Sequence, residues 1–438
     1  MTNEKYGLIG KTLVHSYSKE IHEALGRYQY QLFSLAEDEM PDFINARDFR
    51  GLNVTIPYKK DVIPLCDEVT DLARGIGAVN TLFWKNASRA GASESISQED
   101  KILVGHNTDY EGFLYAASRA GIDFEGKGVL ILGTGGTSLM ARRAAADQNA
   151  AKIYIASRHP ETDPPSGSEI QDAGILSTVS YDQLPEIADS IDVIVNTTPV
   201  GTFPNNMQQV IRLKDFPGCQ AVIDVIYNPF KTALLLEAEK LGLKYTNGLP
   251  MLVAQATAAA GYFLGTPGAF QKENQRIIKS MKQRMGNIVL IGMPGTGKSL
   301  IGKFLAELTG KTLQDTDAKI EEEAKMTIPE IFEKEGEAGF RDRESAICKK
   351  LGKERNLIIA TGGGAILRPE NVDALRQNGT LVHITRSIDK LPTRGRPLSK
   401  NIETLKKWKR SACPFTNQQP TSPSATTIPA PAKNCANG

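Results

Sequence analysis

Short apolar runs rich in β-branched residues alternate along this chain with longer stretches of mixed polarity. Runs of this kind that stop at glycines or polar turns are typical of strands buried in a parallel sheet. Helical stretches between them indicate βαβ units, so the pattern predicts an α/β protein. Seven strands are predicted most clearly: Gly51–Ile56, Gly128–Leu132, Lys152–Ala156, Asp192–Asn196, Ala221–Val225, Asn287–Ile291 and Leu357–Ala360.

Three segments interrupt this alternation. Residues 85–101 are small and polar and predict a surface hairpin or loop. Residues 271–286 are charged and predict a helical linker before a new strand. Residues 407–438 are rich in Pro, Thr, Ser and Asn, and they predict disorder because they cannot bury enough apolar surface to fold.

Composition narrows the class of protein. The chain has 438 residues, which at roughly 150 residues per domain favours about three domains. A net charge of +2 gives no footprint for nucleic acid, and five scattered cysteines indicate neither a disulfide framework nor a zinc site. No apolar run reaches the ~18–20 residues of a membrane span, and no signal-peptide layout opens the chain. We therefore predict a cytoplasmic protein of small-molecule partners, with neither nucleic acid nor membrane, and a homo-oligomer remains open.

The segment GVLILGTGGTS (128–138) predicts a strand, a glycine turn and a helix from Leu139 to about Asn149. Gly133 and Gly135 stand where a dinucleotide fold needs a tight turn and close backbone approach to a pyrophosphate. The next strand ends in Ser157 and Arg158 and not in an acidic residue. Arg158 suits a 2′-phosphate, so the sequence favours NADP over NAD.

Polar residues in two earlier turns predict a proton-transfer site. NVTIPYKK (53–60) places Asn53, Thr55 and Lys59 at the end of a strand, and GHNTD (105–109) places Asp109 just before a helix. A lysine and an aspartate on opposite lips of a cleft suit the movement of a proton at a carbonyl. From residue types alone, a surface lysine and an N-capping aspartate remain the alternative.

The second half contains a phosphate-binding loop. GMPGTGKS (292–299) fits the pattern G-x-x-x-x-G-K-[ST] between a strand and a helix beginning at Leu300. Such a loop cradles phosphates with its backbone, here through Gly295, Thr296 and Gly297, while Lys298 reaches the phosphates of ATP and Ser299 joins Mg²⁺. Four further motifs suit a second substrate: DTD (315–317), FRDRE (340–344), ATGGGA (360–365) and RGRPLS (394–399).

Eight motifs in order over about 270 residues resemble shikimate dehydrogenase: HSYS (15–18), NVTIPYKK, GAVNT (77–81), GHNTD, LGTGGTS, NTTPVG (196–201), DVIYNPFKT (224–232) and NGLPMLVAQA (247–256). The resemblance implies a substrate domain, a nucleotide-binding domain and NADPH-dependent reduction of 3-dehydroshikimate. It makes Lys59 and Asp109 the catalytic pair. The substrate shell would be Ser16, Ser18, Asn53, Thr55, Asn80, Tyr227 and Gln255. The cofactor would contact Gly133, Gly135, Gly136, Thr137, Ser138, Ser157, Arg158 and Gly248.

The later motifs, over residues 287–406, resemble shikimate kinase. The resemblance implies ATP-dependent phosphorylation of shikimate. Lys298 and Ser299 would serve nucleotide and metal, and Asp315 would lie near Mg²⁺. Asp317 would orient or deprotonate the attacking hydroxyl, and Arg396 would be a lid arginine. Shikimate would contact Arg341, Gly362, Gly363 and Gly364. Because the product of the first reaction is the substrate of the second, the fusion itself supports both assignments.

The chain departs from these families at three places. Ser157–Arg158–His159 replaces the usual basic-Thr cofactor motif, and Thr202 stands where the dehydrogenases usually have Met. The R-x-P-x-Y segment of the kinases is missing, and a frameshift near Leu405–Lys407 is our hypothesis for this loss. We therefore expect either a bifunctional enzyme or a dehydrogenase fused to an inactive, nucleotide-binding module, with quinate dehydrogenase as a further alternative. The expected domains are 1–109 with 240–270 packing back on it, 110–239 for NADP, 271–286 as linker, 287–406 for the kinase and 407–438 as an unordered tail.

Overall fold

A computed structural model describes residues 5–13, 16–86, 101–162, 174–387 and 425–429. The chain divides into two compact units. Unit 1 comprises Met1–Thr202 and Gln208–Ser280, and unit 2 comprises Phe203–Met207 and Met281–Gly438. The strands form three sheets, two in unit 1 and one in unit 2, and they alternate with helices along the chain. This confirms the α/β prediction.

The first sheet of unit 1 is mixed, with the strand order β2-β1-β3-β5-β6-β4. Its strands are β1 (Tyr6–Gly10), β2 (Tyr30–Ser34), β3 (Gly51–Val54), β4 (Glu68–Val69), β5 (Thr81–Asn86) and β6 (Lys101–His106). Its helices are α1 (Ser18–Glu23), α2 (Glu39–Asn45), α3 (Asp71–Ile76) and α4 (Thr108–Arg119). β5 runs antiparallel to both β3 and β6, whereas β1, β2 and β3 are parallel. The starts of β5 and α4 therefore lie near the end of β3.

The second sheet of unit 1 is wholly parallel, in the order β12-β11-β10-β7-β8-β9. Its strands are β7 (Gly128–Leu132), β8 (Lys152–Ser157), β9 (Leu176–Ser180), β10 (Val193–Asn196), β11 (Ala221–Asp224) and β12 (Lys244–Thr246). Its helices are α5 (Gly136–Asp147), α6 (Leu184–Ile187) and α7 (Ala233–Lys240). β7, β10 and β11 are buried at every position, as the continuous apolar runs predict for central parallel strands.

Two further helices complete this part of the chain: α8 (Gly248–Phe263) and α9 (Asn274–Met285). Ala259 and Phe263 of α8 pack among Tyr6, Leu8 and Tyr30 of the first sheet. The start of α8 follows β12 of the second sheet. Helix α8 therefore reaches from the second sheet to the first and carries side chains to the space between their strand ends.

The sheet of unit 2 is parallel, in the order β14-β15-β13-β16-β17. Its strands are β13 (Asn287–Ile291), β14 (Thr312–Asp315), β15 (Leu357–Ala360), β16 (Gly379–Thr385) and β17 (Ala425–Pro429). Its helices are α10 (Lys298–Thr309), α11 (Thr316–Ala324), α12 (Ile328–Lys353) and α13 (Pro369–Arg376). Gly336 interrupts α12 with a φ of 69°. The phosphate-loop motif connects β13 to α10, as the sequence predicts.

Several boundaries differ from those predicted. β3 ends at Val54 because the chain turns there toward Pro57, and α5 and α10 each begin two or three residues before the predicted start. The segment predicted as a hairpin or loop falls between the paired strands β5 and β6, with residues 87–100 outside the described part of the chain. The tail also differs, because Ala425–Pro429 forms a strand beside β16. Its Thr-Thr-Ile sequence is β-branched, which favours extended backbone.

No helix within the described ranges is both long enough and apolar enough to cross a bilayer.

Candidate active sites

A cavity of 390 Å³ opens in unit 1 where the two sheets present their strand ends. It brings together side chains that lie far apart in the sequence. Both members of the predicted catalytic pair line it, as do all seven residues of the predicted substrate shell. The remaining lining residues include Thr137 from the glycine turn and Gly248 at the start of α8. The predicted substrate and cofactor positions are therefore contiguous at this cavity.

Lys59 and Asp109 form an ion pair at the cavity. The Lys59 Nζ atom lies 2.5 Å from Asp109 Oδ2, and their side chains are 20% and 14% exposed. Lys59 follows β3, where its carbonyl accepts a hydrogen bond from the Val79 backbone N–H at 2.8 Å. Asp109 lies in the first turn of α4. A half-buried ammonium held by a carboxylate is placed to deliver a proton to a ligand oxygen.

Asn53 and Asn80 line the cavity as part of one hydrogen-bonded network. Asn53 is 4% exposed and Asn80 is 3% exposed. Asn80 Oδ1 accepts hydrogen bonds from the Thr108 backbone N–H at 2.7 Å and from Thr81 Oγ1 at 2.9 Å. The same network therefore joins β3, β5 and the start of α4, and it fixes the wall beside the ion pair.

The other substrate-shell candidates surround the ion pair from several elements. Ser16 Oγ accepts a hydrogen bond from the Ser18 backbone N–H at 3.2 Å. Gln255 on α8 is buried, and its Nε2 donates to the Leu252 carbonyl at 3.0 Å. Tyr227 packs edge-on against Tyr17, with ring centroids 5.9 Å apart. This aromatic contact joins the segment after β1 to the loop after β11 at the cavity.

Asp224 anchors the loop that carries Tyr227. It is fully buried at the end of β11, and it accepts hydrogen bonds from Thr232 Oγ1 at 2.6 Å, Asn196 Nδ2 at 3.1 Å and the Ile226 backbone N–H at 3.1 Å. Burial raises the pKa of Asp224 to about 6, although these three donors oppose the shift. Sequence reasoning did not single out this carboxylate within the motif DVIYNPFKT.

The glycine turn after β7 has the form that a dinucleotide site requires. Gly133 has a φ of 99°, which disfavours any residue with a side chain. A Cβ atom at Gly135 or Gly136 would meet no other atom within 4 Å, so this backbone faces open space at the start of the twelve-residue helix α5. Partial positive charge at a helix N-terminus favours phosphate, and the turn therefore fits a pyrophosphate group. Ser138, in contrast, is fully buried and its Oγ accepts from Arg142 Nε at 3.2 Å.

Ser157 and Arg158 occupy the end of β8 and the residue after it. Ser157 is buried, and its Oγ accepts a hydrogen bond from the His159 backbone N–H at 2.9 Å. Arg158 is exposed. An exposed guanidinium at this strand end is available to a 2′-phosphate, whereas Ser157 shapes the turn that presents it.

In the phosphate loop of unit 2, the lysine side chain is hydrogen-bonded to backbone carbonyls of the same loop. Lys298 Nζ donates to the carbonyls of Gly292 at 2.8 Å and Met293 at 3.0 Å, and only 8% of the residue is exposed. Gly295 and Gly297 have φ angles of 82° and 97°. Thr296 is buried, with its hydroxyl donating to the Met293 carbonyl at 2.9 Å. The loop therefore has the curvature that directs successive backbone N–H groups toward a phosphate.

Ser299 and Asp315 are hydrogen-bonded to each other. Ser299 Oγ donates to Asp315 Oδ2 at 2.8 Å, while Asp315 Oδ1 accepts from the Asp317 backbone N–H at 3.0 Å. A hydroxyl and a carboxylate are oxygen ligands that suit Mg²⁺, which commonly keeps several waters. Among the described residues, no group of three or more His, Cys, Asp or Glu side chains is arranged to hold a metal. Two oxygen ligands from the protein would leave the other positions of a Mg²⁺ ion to phosphate oxygens and waters.

Arg341 and Glu344 form a buried ion pair beside the three glycines of ATGGGA. Arg341 Nη1 donates to Glu344 Oε2 at 2.7 Å, and their side chains are 9% and 1% exposed. Burial raises the pKa of Glu344, against the opposing effect of the Arg341 charge. A Cβ atom at Gly362 would collide with Asp317 and Glu344, one at Gly364 with Arg341, and one at Gly363 with Pro294 of the phosphate loop. The structure thus brings Asp317, Arg341 and Gly362–Gly364 together, as the motifs predict.

Some residues of these sites gave no usable signal in the sequence. Thr12 lines the cavity of unit 1 and belongs to no motif, whereas Tyr17 and Met251 lie within two of the motifs but were not singled out as site residues. Arg396, the predicted lid arginine, lies outside the described residues.

Comparison with protein families agrees with this geometry. The shikimate dehydrogenase substrate-binding domain matches residues 8–82, and shikimate kinase matches residues 294–422. A shikimate dehydrogenase (NADP(+)) from Caldicellulosiruptor bescii is 35% identical over 268 residues, which cover 58% of this chain and 88% of that protein.

Solved structures give the same result. A chorismate mutase/shikimate 5-dehydrogenase fusion protein from Clostridium acetobutylicum matches with a TM-score of 0.55 and 32% identity, over 65% of this chain and 98% of that chain. Shikimate 5-dehydrogenase from Thermus thermophilus, solved with NADP(H) and shikimate, matches with a TM-score of 0.51 and 28% identity, over 63% of this chain and 99% of that chain. The chain therefore belongs to the shikimate dehydrogenase family and carries, in its C-terminal region, a domain of the shikimate kinase family.

Proposed function

We propose that unit 1 reduces 3-dehydroshikimate to shikimate with NADPH. The observation that carries this proposal is the ion pair of Lys59 and Asp109 in a cavity that also contains Thr137 of the glycine turn. A proton donor and the expected cofactor site thus meet at one space. The names of the relatives supply the substrate and the cofactor class.

Bound NADPH would supply the hydride that adds to the ketone carbon. Lys59 would hydrogen-bond the ketone oxygen through Nζ and transfer a proton to it as the alkoxide develops. Asp109 would hold the ammonium in place and, in the reverse direction, stabilise its charged form. The proton lost from Lys59 would return from solvent, which reaches the partly exposed pair.

The lining of the cavity explains why a polyhydroxy acid would be selected. The side chains of Ser16, Ser18 and Thr55 contribute hydroxyls, and those of Asn53, Asn80 and Gln255 contribute amides. A buried polar group that finds no partner destabilises the complex, so an analogue lacking a matching hydroxyl binds less well. Val54, Val225 and Met251 add apolar surface against which a carbon ring can pack.

We also propose a division of labour along unit 1. Residues 1–109 together with 240–270 would bind the substrate, and residues 110–239 would bind NADP. The packing of α8 against the first sheet supports the contribution of 240–270. The exposed position of Arg158 at the end of β8 supports NADP as the preferred cofactor.

The direct test is NADPH formation from shikimate and NADP⁺ by the full chain. Quinate in place of shikimate, and NAD⁺ in place of NADP⁺, complete the set of substrates. We expect the highest kcat/KM for shikimate with NADP⁺. A preference for quinate and NAD⁺ would identify a quinate dehydrogenase instead, and no turnover with either acid would overturn the proposal.

For unit 2 we propose transfer of the γ-phosphoryl group of ATP to the 3-hydroxyl of shikimate. The grouping of Asp317, Arg341 and Gly362–Gly364 next to the phosphate loop supports it, together with the family match. The hydroxyl oxygen would attack phosphorus as the bond to ADP breaks, and its proton would pass to Asp317. Lys298 would leave its loop carbonyls to hold the phosphates, and Arg341 would bind the shikimate carboxylate or hydroxyls.

Bound Mg²⁺ would neutralise charge on the phosphates, with Ser299 and Asp315 as its protein ligands. The test is shikimate-dependent ADP formation, with mass detection of shikimate 3-phosphate. We expect both products from the full chain. Nucleotide binding without either product would instead favour the alternative function, a module that binds ATP without phosphoryl transfer.

A further inference from the structure

Asn53 and Asn80 both line the cavity, and internal hydrogen bonds engage different ends of their carboxamides. Asn53 Nδ2 donates to the Asn80 backbone carbonyl and to Thr81 Oγ1, each at 3.3 Å, so both of its N–H groups are used within the protein. Asn80 Oδ1 instead accepts from Thr108 and Thr81. Beyond these two donated bonds, Asn53 offers only its Oδ1 oxygen, an acceptor, and Asn80 offers its Nδ2 amide, a donor.

A tyrosine behind the cavity wall holds the Asn53 oxygen. Tyr30 Oη donates to Asn53 Oδ1 at 2.8 Å, and only 1% of Tyr30 is exposed. Tyr30 does not itself line the cavity. Its ring stacks on His22 at a centroid distance of 4.0 Å and an interplanar angle of 4°, which restricts rotation of the ring.

We propose that Tyr30 is a positioning residue that fixes the Asn53 carboxamide as a hydrogen-bond acceptor for one ring hydroxyl of the substrate. The inference rests on the proposed dehydrogenase function. A third hydrogen bond beside the two longer ones from Nδ2 leaves the Asn53 side chain a single orientation. Substrate hydroxyls then meet an acceptor at Asn53 and a donor at Asn80. An analogue that lacks the matching hydroxyl leaves one of these groups without a hydrogen bond and binds less well.

Burial supports the role of Tyr30 as a permanent donor. It raises the pKa of the Tyr30 phenol well above its ordinary value, which favours the protonated, donating form of the hydroxyl.

The experiment compares Tyr30→Phe with Tyr28→Phe in the full chain. Tyr28 is a matched control, because its hydroxyl lies 2.7 Å from His22 Nδ1 and the ring contacts the same aromatic cluster, but it bonds no residue of the cavity. We expect Tyr30→Phe to raise the KM for shikimate roughly tenfold, the effect of one buried hydrogen bond, while kcat and the KM for NADP⁺ change little. Tyr28→Phe should leave all three near their original values.

Shikimate analogues that each lack one ring hydroxyl sharpen this test. One analogue lacks the hydroxyl that would donate a hydrogen bond to Asn53, and for this analogue Tyr30→Phe should raise the KM no further. For the other analogues, Tyr30→Phe should still raise the KM. A merely structural role would give the same loss with every analogue and would also raise the KM for NADP⁺. If Tyr30→Phe does not fold, 3-fluorotyrosine at position 30 keeps the ring and changes the donor strength, and the same analogue-dependent change of KM is expected.

The outcomes separate this inference from the function on which it rests. An unchanged KM for shikimate in the active Tyr30 variants, or a loss equal for all analogues, would overturn the role of Tyr30 alone. No shikimate oxidation by the unmodified chain would overturn the proposed function and this inference together.

Discussion

The Lys59 ammonium lies 2.5 Å from the Asp109 carboxylate, although fifty residues separate the two in the chain. Lys59 comes from the turn after β3 and Asp109 from the first turn of α4. The antiparallel pairing of β5 with β3 and β6 brings these two segments to one end of the sheet. The ion pair therefore depends on the mixed topology of the first sheet, in which β5 runs antiparallel to its neighbours.

We predict that Lys59→Ala lowers kcat for shikimate oxidation by about 10²- to 10⁴-fold, the usual contribution of a positioned acid or base. NADP⁺ binding should change little, since Lys59 lies at the cavity and not at the glycine turn. The rate of NADPH formation measures kcat, and fluorescence titration with NADP⁺ measures the affinity for the cofactor. Lys60→Ala is the matched control because Lys60 is the exposed neighbour. Equal kcat values for Lys59→Ala and Lys60→Ala would show that Lys59 has no catalytic role.

Asp109→Asn should lower kcat by an amount that does not add to the loss in Lys59→Ala. The two groups act as one unit, so the double variant should be little slower than the slower single variant. Measurement of kcat for both single variants and for the double variant completes the cycle. Losses that multiply would show that the two residues act independently.

The buried carboxylate of Asp224 gives a pH-dependent contribution to the stability of unit 1. Its pKa in the folded protein is about 6, above the ordinary value of 3.8. The proton is thus bound more tightly in the folded state, and the associated stability is present below about pH 4 and lost as pH rises through 6. The Asp224→Asn variant has no carboxyl group to titrate at this position, so it does not lose this stability as pH rises. Relative to the unmodified chain it should therefore gain roughly 2–3 kcal/mol of unfolding free energy between pH 4 and pH 7.

Denaturant unfolding of unit 1 at a series of pH values measures this difference. The exposed Asp182 provides a control variant, Asp182→Asn, whose difference from the unmodified chain should be nearly constant over the same range. A constant difference for Asp224→Asn as well would contradict the assigned shift.

In unit 2, Asp315→Asn should weaken the binding of Mg²⁺-ATP more than that of ATP without metal. The substitution removes the carboxylate charge that would face the bound Mg²⁺ beside Ser299 Oγ. Calorimetric titration with and without Mg²⁺ separates the two affinities, and Glu307→Gln on the exposed face of α10 is the control. Equal weakening with and without the metal would place Asp315 outside the metal site.

Lys311 bonds residues at the end of α9, which belong to unit 2, to the sheet of the same unit. Its Nζ donates to the carbonyls of Arg284 at 2.7 Å and Gly286 at 2.9 Å and to Asn356 Oδ1 at 3.0 Å. Lys311→Met would leave three acceptors without this donor and should destabilise unit 2 by roughly 2–3 kcal/mol. Hydrogen exchange of β14 and β15 reads out this unit specifically. Lys303→Met, an exposed lysine on α10, should leave the exchange rates unchanged.

Several of the chemistry-bearing motifs, such as the glycine turn and the phosphate loop, could be found from sequence because they follow a short apolar run. The ends of neighbouring parallel strands meet at one edge of a sheet, and the observed order β7, β10, β11 therefore places Gly133, Asn196 and Asp224 at the same edge. The phosphate loop was equally clear, because its glycines and Lys298 have a fixed spacing. Local pattern and parallel topology thus account for most of both candidate sites.

Contacts that depend on side-chain direction in three dimensions were beyond sequence reasoning. Tyr30 lies in a strand with no chemical signature, and its bond to Asn53 depends on the pairing of β2 and β3 on either side of β1. Met251 reaches the cavity only because α8 crosses to the first sheet. The strand Ala425–Pro429 was missed because a Pro- and Ser-rich composition outweighed a short β-branched run.

The antiparallel pair β5 and β6 also has a practical consequence. β5 begins at Thr81, beside Asn80 and the cavity, and β6 ends at His106, just before Asp109. Asn86 and Lys101, at the opposite ends of these strands, are thus removed from the cavity by six residues of extended chain, a distance of about 20 Å. A fluorophore attached at the position of Asn86 or Lys101 would therefore report on this protein from a point well away from the space where its chemistry takes place.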